Sequence, residues 1–325
     1  MSQPTLAHPD SYIQRVRPDF EQALRELVEI PSVSTDPAYA KDVRRAAEWA
    51  LAFLDRHGIE AELIETGGYP VVIGTITHPE ARRTLTIYNH LDVQPANEPE
   101  WQTEPFTFAI EGDTYRGRGT TDDKGPALAA FYAALAARGQ KLPLNIRFIW
   151  ECEEEIGSPH FDAFLAEHKD RLQTDSVVVS DTIWISRGKP AAPLGLRGLV
   201  TFRLTLETGT KDVHSGLAGG AARNPIAELC EVITEMVEAR TGRIKIPGIY
   251  EKVRPVSESE VQGFVDSGFD AEEFKRAHGL KCLRMTAPEE LTQAIWAKPT
   301  FEVHGIVGGY TGPGVKAIVP PRAEA

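Results

Sequence analysis

Apolar residues between positions 11 and 30 recur at helical spacing. Phe20, Leu24, Leu27 and Val28 share one face, and Pro31 closes the run. A second helix is predicted over 41–57, with Val43, Ala47, Ala50, Leu51 and Leu54 on one face and Gly58 as a natural stop. Short β-like runs follow at 61–65, 71–76 and 85–89, then a loop rich in Pro, Glu and Gly from 93 to 118. An Ala- and Leu-rich helix is expected over 126–137, and strands again at 145–150 and 176–180. Strands alternating with helices predict an α/β fold, with a mixed, largely parallel sheet and helices on both faces. Ligands of such sheets bind beyond the carboxyl ends of the strands.

The pattern changes after Gly195. Residues 199–206 alternate through Val200, Phe202, Leu204 and Leu206, as a half-exposed strand would. A helix is expected over 224–238, with Pro225 in its first turn. Residues 241–298 carry many charges and no clear period, which predicts a loop-rich insertion with one helix near 271–278. A strand is expected at 300–306, a glycine-rich turn at 308–314, and the start of another strand at 316–319. Two domains are therefore expected, 1–195 and 196–325, the second an α+β unit whose strand pairing reads as unfinished at Ala325.

Composition narrows the function classes. The chain has 325 residues, 42% hydrophobic and 25% charged, with a net charge of −12. That acidity argues against nucleic acid or an anionic membrane as the main partner. No apolar run approaches the roughly 20 residues needed to span a bilayer, and residues 1–20 lack the apolar core of a secretory leader. Cys152, Cys230 and Cys282 are widely spaced, odd in number and form no CxxC pair, which predicts reduced thiols in a cytoplasmic protein.

Four stretches place metal-ligand residue types at or just after apolar runs. His90 follows one, with Asp92 two positions on; a neutral imidazole binds zinc, and a nearby carboxylate can fix its tautomer. A buried, hydrogen-bonded histidine explains His90 equally well. Asp122 and Asp123 lie in a segment with Gly117, Gly119 and Gly125, before the helix expected from Pro126. Alone they read as helix-capping acids, although a cap needs neither three glycines nor two acids. Glu153, Glu154 and Glu155 follow a strand; one could bind metal while its neighbour serves as general base, against the plainer reading of a solvated acidic face. Asp181 ends the fourth run and by itself is a weak signal. Together they have the chemistry of a two-metal hydrolase. Ser158 and Ser215 lack the partners that a serine nucleophile needs.

The same residues carry a family resemblance. His90-Leu-Asp92-Val-Gln-Pro95, Gly117 to Pro126, Glu154-Glu155-Ile-Gly-Ser158 and Val179-Ser-Asp181-Thr182 closely resemble the dizinc peptidases and amidohydrolases. That family includes carnosinases and cytosolic non-specific dipeptidases, aminoacylase, succinyl-diaminopimelate desuccinylase and glutamate carboxypeptidase. The likeness continues through Asp212-Val-His214-Ser-Gly216 and Asn224-Pro225 to 308–320, and Gln94-Pro95 with Thr121 to Pro126 looks most like the dipeptidase branch. The resemblance implies a zinc-peptidase catalytic domain with an inserted lid or dimerisation domain. It implies two divalent ions, zinc foremost, with manganese or cobalt as alternatives. His90 and Asp181 would bind one ion, Asp122 would bridge both, and Glu155 would bind the second. Glu154 would be general base and then proton donor, Asp92 would orient His90, and His214 of the lid would stabilise the oxyanion across a dimer interface.

This chain departs from the family pattern in two places. The second ion has a further histidine ligand near the family's C-terminus, and the arginine that holds the substrate carboxylate also lies there; neither has a counterpart before Ala325. His304, in an expected lid strand, is no assumed substitute. Ala317 stands where the dipeptidase branch usually has threonine. The leading expectation is hydrolysis of an amide bond in a dipeptide or short N-acyl amino acid. The alternatives are an N-acyl amino acid deacylase or desuccinylase, a catalytically impaired chain binding at most one metal, and a non-enzymatic module that dimerises through the lid.

Overall fold

The computed structural model describes residues 9–181, 186, 188–193 and 195–325, so the expectation for Thr182 lies outside the described residues. The chain divides into two compact units, Met1–Ile183 and Trp184–Ala325, a boundary ahead of the one expected at 195.

In the first unit the helices α1 (Pro9–Val28) and α2 (Ala40–Arg56) lead into strands β1 (Glu60–Ile64), β2 (Val71–Ile76) and β3 (Thr84–His90). A small hairpin, β4 (Ala109–Glu111) and β5 (Thr114–Arg116), lies inside the expected loop and was too short to show in the periodicity. Helix α3 (Lys124–Gly139), strand β6 (Asn145–Glu151), helix α4 (Phe161–His168) and strand β7 (Ser176–Val179) complete the unit.

The five long strands form one mixed sheet in the order β1-β2-β6-β3-β7. β1 pairs with β2 and β2 with β6 antiparallel, whereas β3 is parallel to both β6 and β7. Parallel pairing thus covers half of the sheet, the half from which the site is built. Helices cover both faces. On one, Leu24, Leu27, Ala47, Phe53 and Phe131 from α1, α2 and α3 pack on Val72, Ile87, Phe148 and Trp150. On the other, Phe164 of α4 packs on Val71, Ile73 and Ile149. Full burial of each large side chain contributes about 1.5–3 kcal/mol. This core fixes the register in which His90 lies opposite Glu151 and Tyr88 opposite Val179. The carboxyl ends of the three parallel strands are therefore level, and the residues that follow them meet.

The second unit is built from short elements. β8 (Thr205–Glu207), β9 (Val213–His214), α5 (Ser215–Ala218), α6 (Pro225–Met236) and the pair β10 (Val237–Glu238) and β11 (Arg243–Ile244) come first. Helices α7 (Glu258–Asp266), α8 (Ala271–Ala277) and α9 (Pro288–Trp296) follow, then β12 (Val307–Gly308), β13 (Ile318–Val319) and β14 (Arg322–Glu324). Its sheets run β12-β14-β8 and β13-β9.

Several expectations for this unit change. The strand expected at 199–206 is assigned only from Thr205, although Leu204 still exchanges two backbone hydrogen bonds with Ala325; Leu199 and Val200 are more than 80% exposed and join no described strand. The strand expected at 300–306 is likewise unpaired, and only Val307–Gly308 joins a sheet. The region 241–298 holds three helices where one was expected. α7 opens on a capping box between Ser257 and Glu260, and α9 has proline in its first turn. The rings of Phe264 and Phe269 each lie 5.4 Å from Trp296.

Candidate active site

His90 is the last residue of β3 and is fully buried. Its Nδ1 lies 3.0 Å from the backbone oxygen of Asp92 and 3.4 Å from Asp92 Oδ1. A carbonyl only accepts, so Nδ1 carries a proton, and Nε2 either carries a second proton or offers its lone pair to a cation. Nε2 is buried and makes no properly aligned hydrogen bond. It faces carboxylate oxygens instead, with Asp122 Oδ1 at 3.0 Å, Asp181 Oδ2 at 3.7 Å and Glu154 Oε2 at 3.9 Å.

A lone pair and several carboxylates converging on one point repel unless a cation or a proton lies between them. Among the described residues, two groups have the spacing to hold a metal ion: His90 with Asp122 and Asp181, and His90 with Glu154 and Glu155. One imidazole nitrogen among carboxylate oxygens is a donor set that suits zinc, manganese or cobalt. The orphaned Nε2 and this donor set fit a divalent ion. The first group joins three of the expected ligands, and the second adds Glu155 together with Glu154, the expected base.

The electrostatics agree. Burial opposes charge on His90, but its contacts with Asp122 and Asp92 and the field of Asp123 outweigh burial and push its pKa up to about 11. Burial raises Glu154, helped by Glu155, Asp92 and Asp181 and opposed by His90. Burial also raises Glu155 and Asp181, whereas the contact with His90 lowers Asp122. The carboxylates crowd one another, and a positive charge among them relieves all of them.

The turn that presents Asp122 explains its glycines. Gly119 has φ +92° and Gly117 φ +146°, both in the region that favours glycine. A Cβ on Gly125 would lie 2.0 Å from the backbone oxygen of Thr120. Asp123 occupies the position before α3, yet its side chain makes no capping hydrogen bond. The capping reading therefore fails for Asp123. Its Oδ2 accepts instead from Asn89 Nδ2 at 2.8 Å and from the backbone N–H of His90 at 3.1 Å. Lys124 is fully buried and donates through Nζ to the backbone oxygens of Leu27 and Ile30, at 2.9 and 2.8 Å. This ties the site turn to the end of α1.

Asp92 does more than face His90. Its Oδ1 accepts the backbone N–H of Glu154 at 3.2 Å. Its Oδ2 accepts that of Glu155 at 3.0 Å and the hydroxyl of Ser34 at 2.6 Å. Gln94 Nε2 donates to Glu155 Oε2 at 2.6 Å and so aims that carboxylate. Glu153 turns away from the cluster: it is buried and bonded to His160 Nδ1 and the backbone of Tyr69. A concavity of about 260 Å³, lined by Trp101, Thr103, Arg118 and Thr121 among others, opens beside Asp122. His214 belongs to the second unit, where it caps α5 by accepting the N–H of Gly216 at Nδ1. His304 is exposed in the same unit.

Sequence reasoning missed Asn89, Ser34 and the partners of Asp123 and Lys124. The one available signal was polarity, since asparagine in a buried strand needs bonding partners.

Comparison with known proteins gives the family. Residues 86–304 match the peptidase family M20/M25/M40. The chain is 34% identical to the Beta-Ala-His dipeptidase of Homo sapiens over 330 residues, covering 96% of this chain and 65% of that protein. It is 32% identical to the Cys-Gly metallodipeptidase of Candida albicans, covering 95% of this chain and 68% of that protein. The chain thus spans about two thirds of the length of these relatives. The crystal structure of an M20 family metallo-carboxypeptidase from Sulfolobus solfataricus superposes with a TM-score of 0.83 at 35% identity, over 94% of this chain and 69% of that one. The family match contains the positions of His90, Asp122, Glu154, Glu155 and Asp181, and the chain belongs to the peptidase family M20/M25/M40.

Proposed function

We propose that this chain carries the metal centre and proton-transfer apparatus of a zinc-dependent peptidase that hydrolyses the amide bond of dipeptides or short N-acyl amino acids. The observation that carries the reading is the buried, unbonded Nε2 of His90 facing Asp122, Asp181 and Glu154. His90, Asp122 and Asp181 would hold one ion, and Glu155, with Asp122 shared, would contribute to a second. A divalent ion bound there supplies Lewis acidity to the scissile carbonyl and lowers the pKa of a water.

The chain's own residues supply the rest. Glu154 keeps 40% of its side chain exposed, so it reaches both the cluster and incoming substrate. Its pKa is raised by burial and by neighbouring carboxylates, which makes it a better proton acceptor than an ordinary glutamate. It takes the proton of the attacking water and returns it to the leaving amine. Asp92 fixes the backbone on which Glu154 and Glu155 stand. Gln94 keeps the Glu155 carboxylate turned inward. On the family resemblance, His214 stabilises the oxyanion, and residues 196–325 form the lid through which two copies pair. Among the described residues, no helix is long and apolar enough to cross a membrane.

The deciding variant is Glu154→Gln. Turnover of dipeptides falls by about 10²–10⁴-fold while bound metal stays at the wild-type level. Unchanged turnover removes Glu154 from the reaction.

A further inference from the structure

His90, Asp122 and Asp181 reach the site from three separate places: the end of β3, the turn before α3, and the second residue after β7. One side chain touches all three carriers. Asn89 precedes His90 and is fully buried. Its Nδ2 donates to Asp123 Oδ2 at 2.8 Å and to the backbone oxygen of Ser180 at 3.2 Å. Asp123 is the chain neighbour of Asp122, and Ser180 that of Asp181. The acceptor on Asp123 closes the loop by also taking the backbone N–H of His90.

We propose that Asn89 is a positioning residue that sets the separation of His90, Asp122 and Asp181, and so pre-forms the metal group. This inference rests on the reading of those three residues as metal ligands. The chemistry selects an amide. Both partners are acceptors, so the nitrogen of the carboxamide faces them and the orientation of the group is determined. A terminal amide nitrogen offers two N–H donors that diverge, one for each partner. An aspartate at this place would set a carboxylate against the carboxylate of Asp123 and against a carbonyl. A leucine fills similar volume and donates nothing. The bond to Asp123 is buried and that to Ser180 half-buried, so a missing donor leaves the Asp123 acceptor unpaired away from water and weakens the tie to Ser180. Residues that support metal ligands from behind typically change affinity 10–100-fold when altered.

The test is a Co²⁺ titration of the metal-free full chain, followed by visible absorption. It compares wild type, Asn89→Leu, Asn89→Asp and the double variant Asn89→Asp/Asp123→Asn. Expected is at least tenfold weaker Co²⁺ binding in both single variants, with an altered absorption band that reports changed ligand geometry. The double variant, in which an amide again faces a carboxylate, recovers part of the affinity and moves the band back. Wild-type affinity and band shape in both single variants overturn the inference, whatever happens to their melting temperatures. Should the single variants fail to fold, the double variant decides: recovered Co²⁺ binding supports the positioning role and none overturns it. A wild-type chain that takes up no Co²⁺ fails differently, because it sinks the metal reading itself and this inference with it.

Discussion

The carboxylate of Asp92 accepts the backbone N–H of Glu155 at 3.0 Å, across 63 residues of sequence. The same carboxylate holds Glu154 N–H and the Ser34 hydroxyl, and Asp92 is itself fully buried. One acid therefore joins the strand end that carries His90 to the turn that carries the glutamates. Asp92→Ala leaves two backbone N–H groups and a hydroxyl without their acceptor. It is expected to cost about 2–4 kcal/mol, as buried unpaired groups do, read by urea unfolding. Asp92→Asn keeps one oxygen and is expected to lose less. Equal stability of the alanine variant and wild type refutes this role.

Gly125→Ala tests how tightly the Asp122 turn is built. The added methyl meets the Thr120 backbone oxygen at 2.0 Å, a contact that only backbone displacement relieves. A stability loss above about 3 kcal/mol is expected, together with loss of metal. Gly139→Ala, at the other end of the same helix, is the control. Nothing lies within 4 Å of its Cβ, so it is expected to be neutral or stabilising by up to about 1 kcal/mol. Thermal unfolding of the two variants side by side gives the answer.

Much of this site was legible before the structure, because ligands at the ends of parallel strands leave a local mark. His90, the Glu153 to Glu155 run and Asp181 each follow an apolar strand, and β2 falls where its hydrophobic run predicts, at Val71–Ile76. What was not legible is pairing between distant segments. Ser34 meets Asp92 across 58 residues and Lys124 meets Leu27 across 97, and no local pattern records either contact. The strand expected at 199–206 came out shorter for a related reason: alternation makes a strand possible, but a partner makes it form, and only the end that meets β14 is paired. Helix α7 had its signal in the Ser257 and Glu260 spacing, masked by the many charges around it.

A pH-dependent prediction concerns the helices behind the sheet. Glu26 of α1 accepts from Gln22 within its helix, and from Trp49 Nε1 and Arg56 of α2. Burial opposes its charge, but these bonds and the Arg56 guanidinium prevail and hold its pKa below the usual 4.5. A carboxyl depressed in the folded state contributes stability above its unfolded pKa, and that contribution is lost as pH falls through the folded value. Glu26→Gln is expected to cost about 0.5–1 kcal/mol at neutral pH, discounted for partial exposure. The gap to wild type should shrink as the pH drops below 4.5. A gap that stays constant through acid rules out the charge as its source.

The most direct measurement is metal content per chain, by elemental analysis after exhaustive dialysis, for wild type and His90→Ala prepared together. The predicted result is zinc retained at one to two ions per chain, and lost from the variant because Nε2 is the only nitrogen in either candidate metal group among the described residues. Wild type that retains no metal, or a variant that retains as much, contradicts the metal centre.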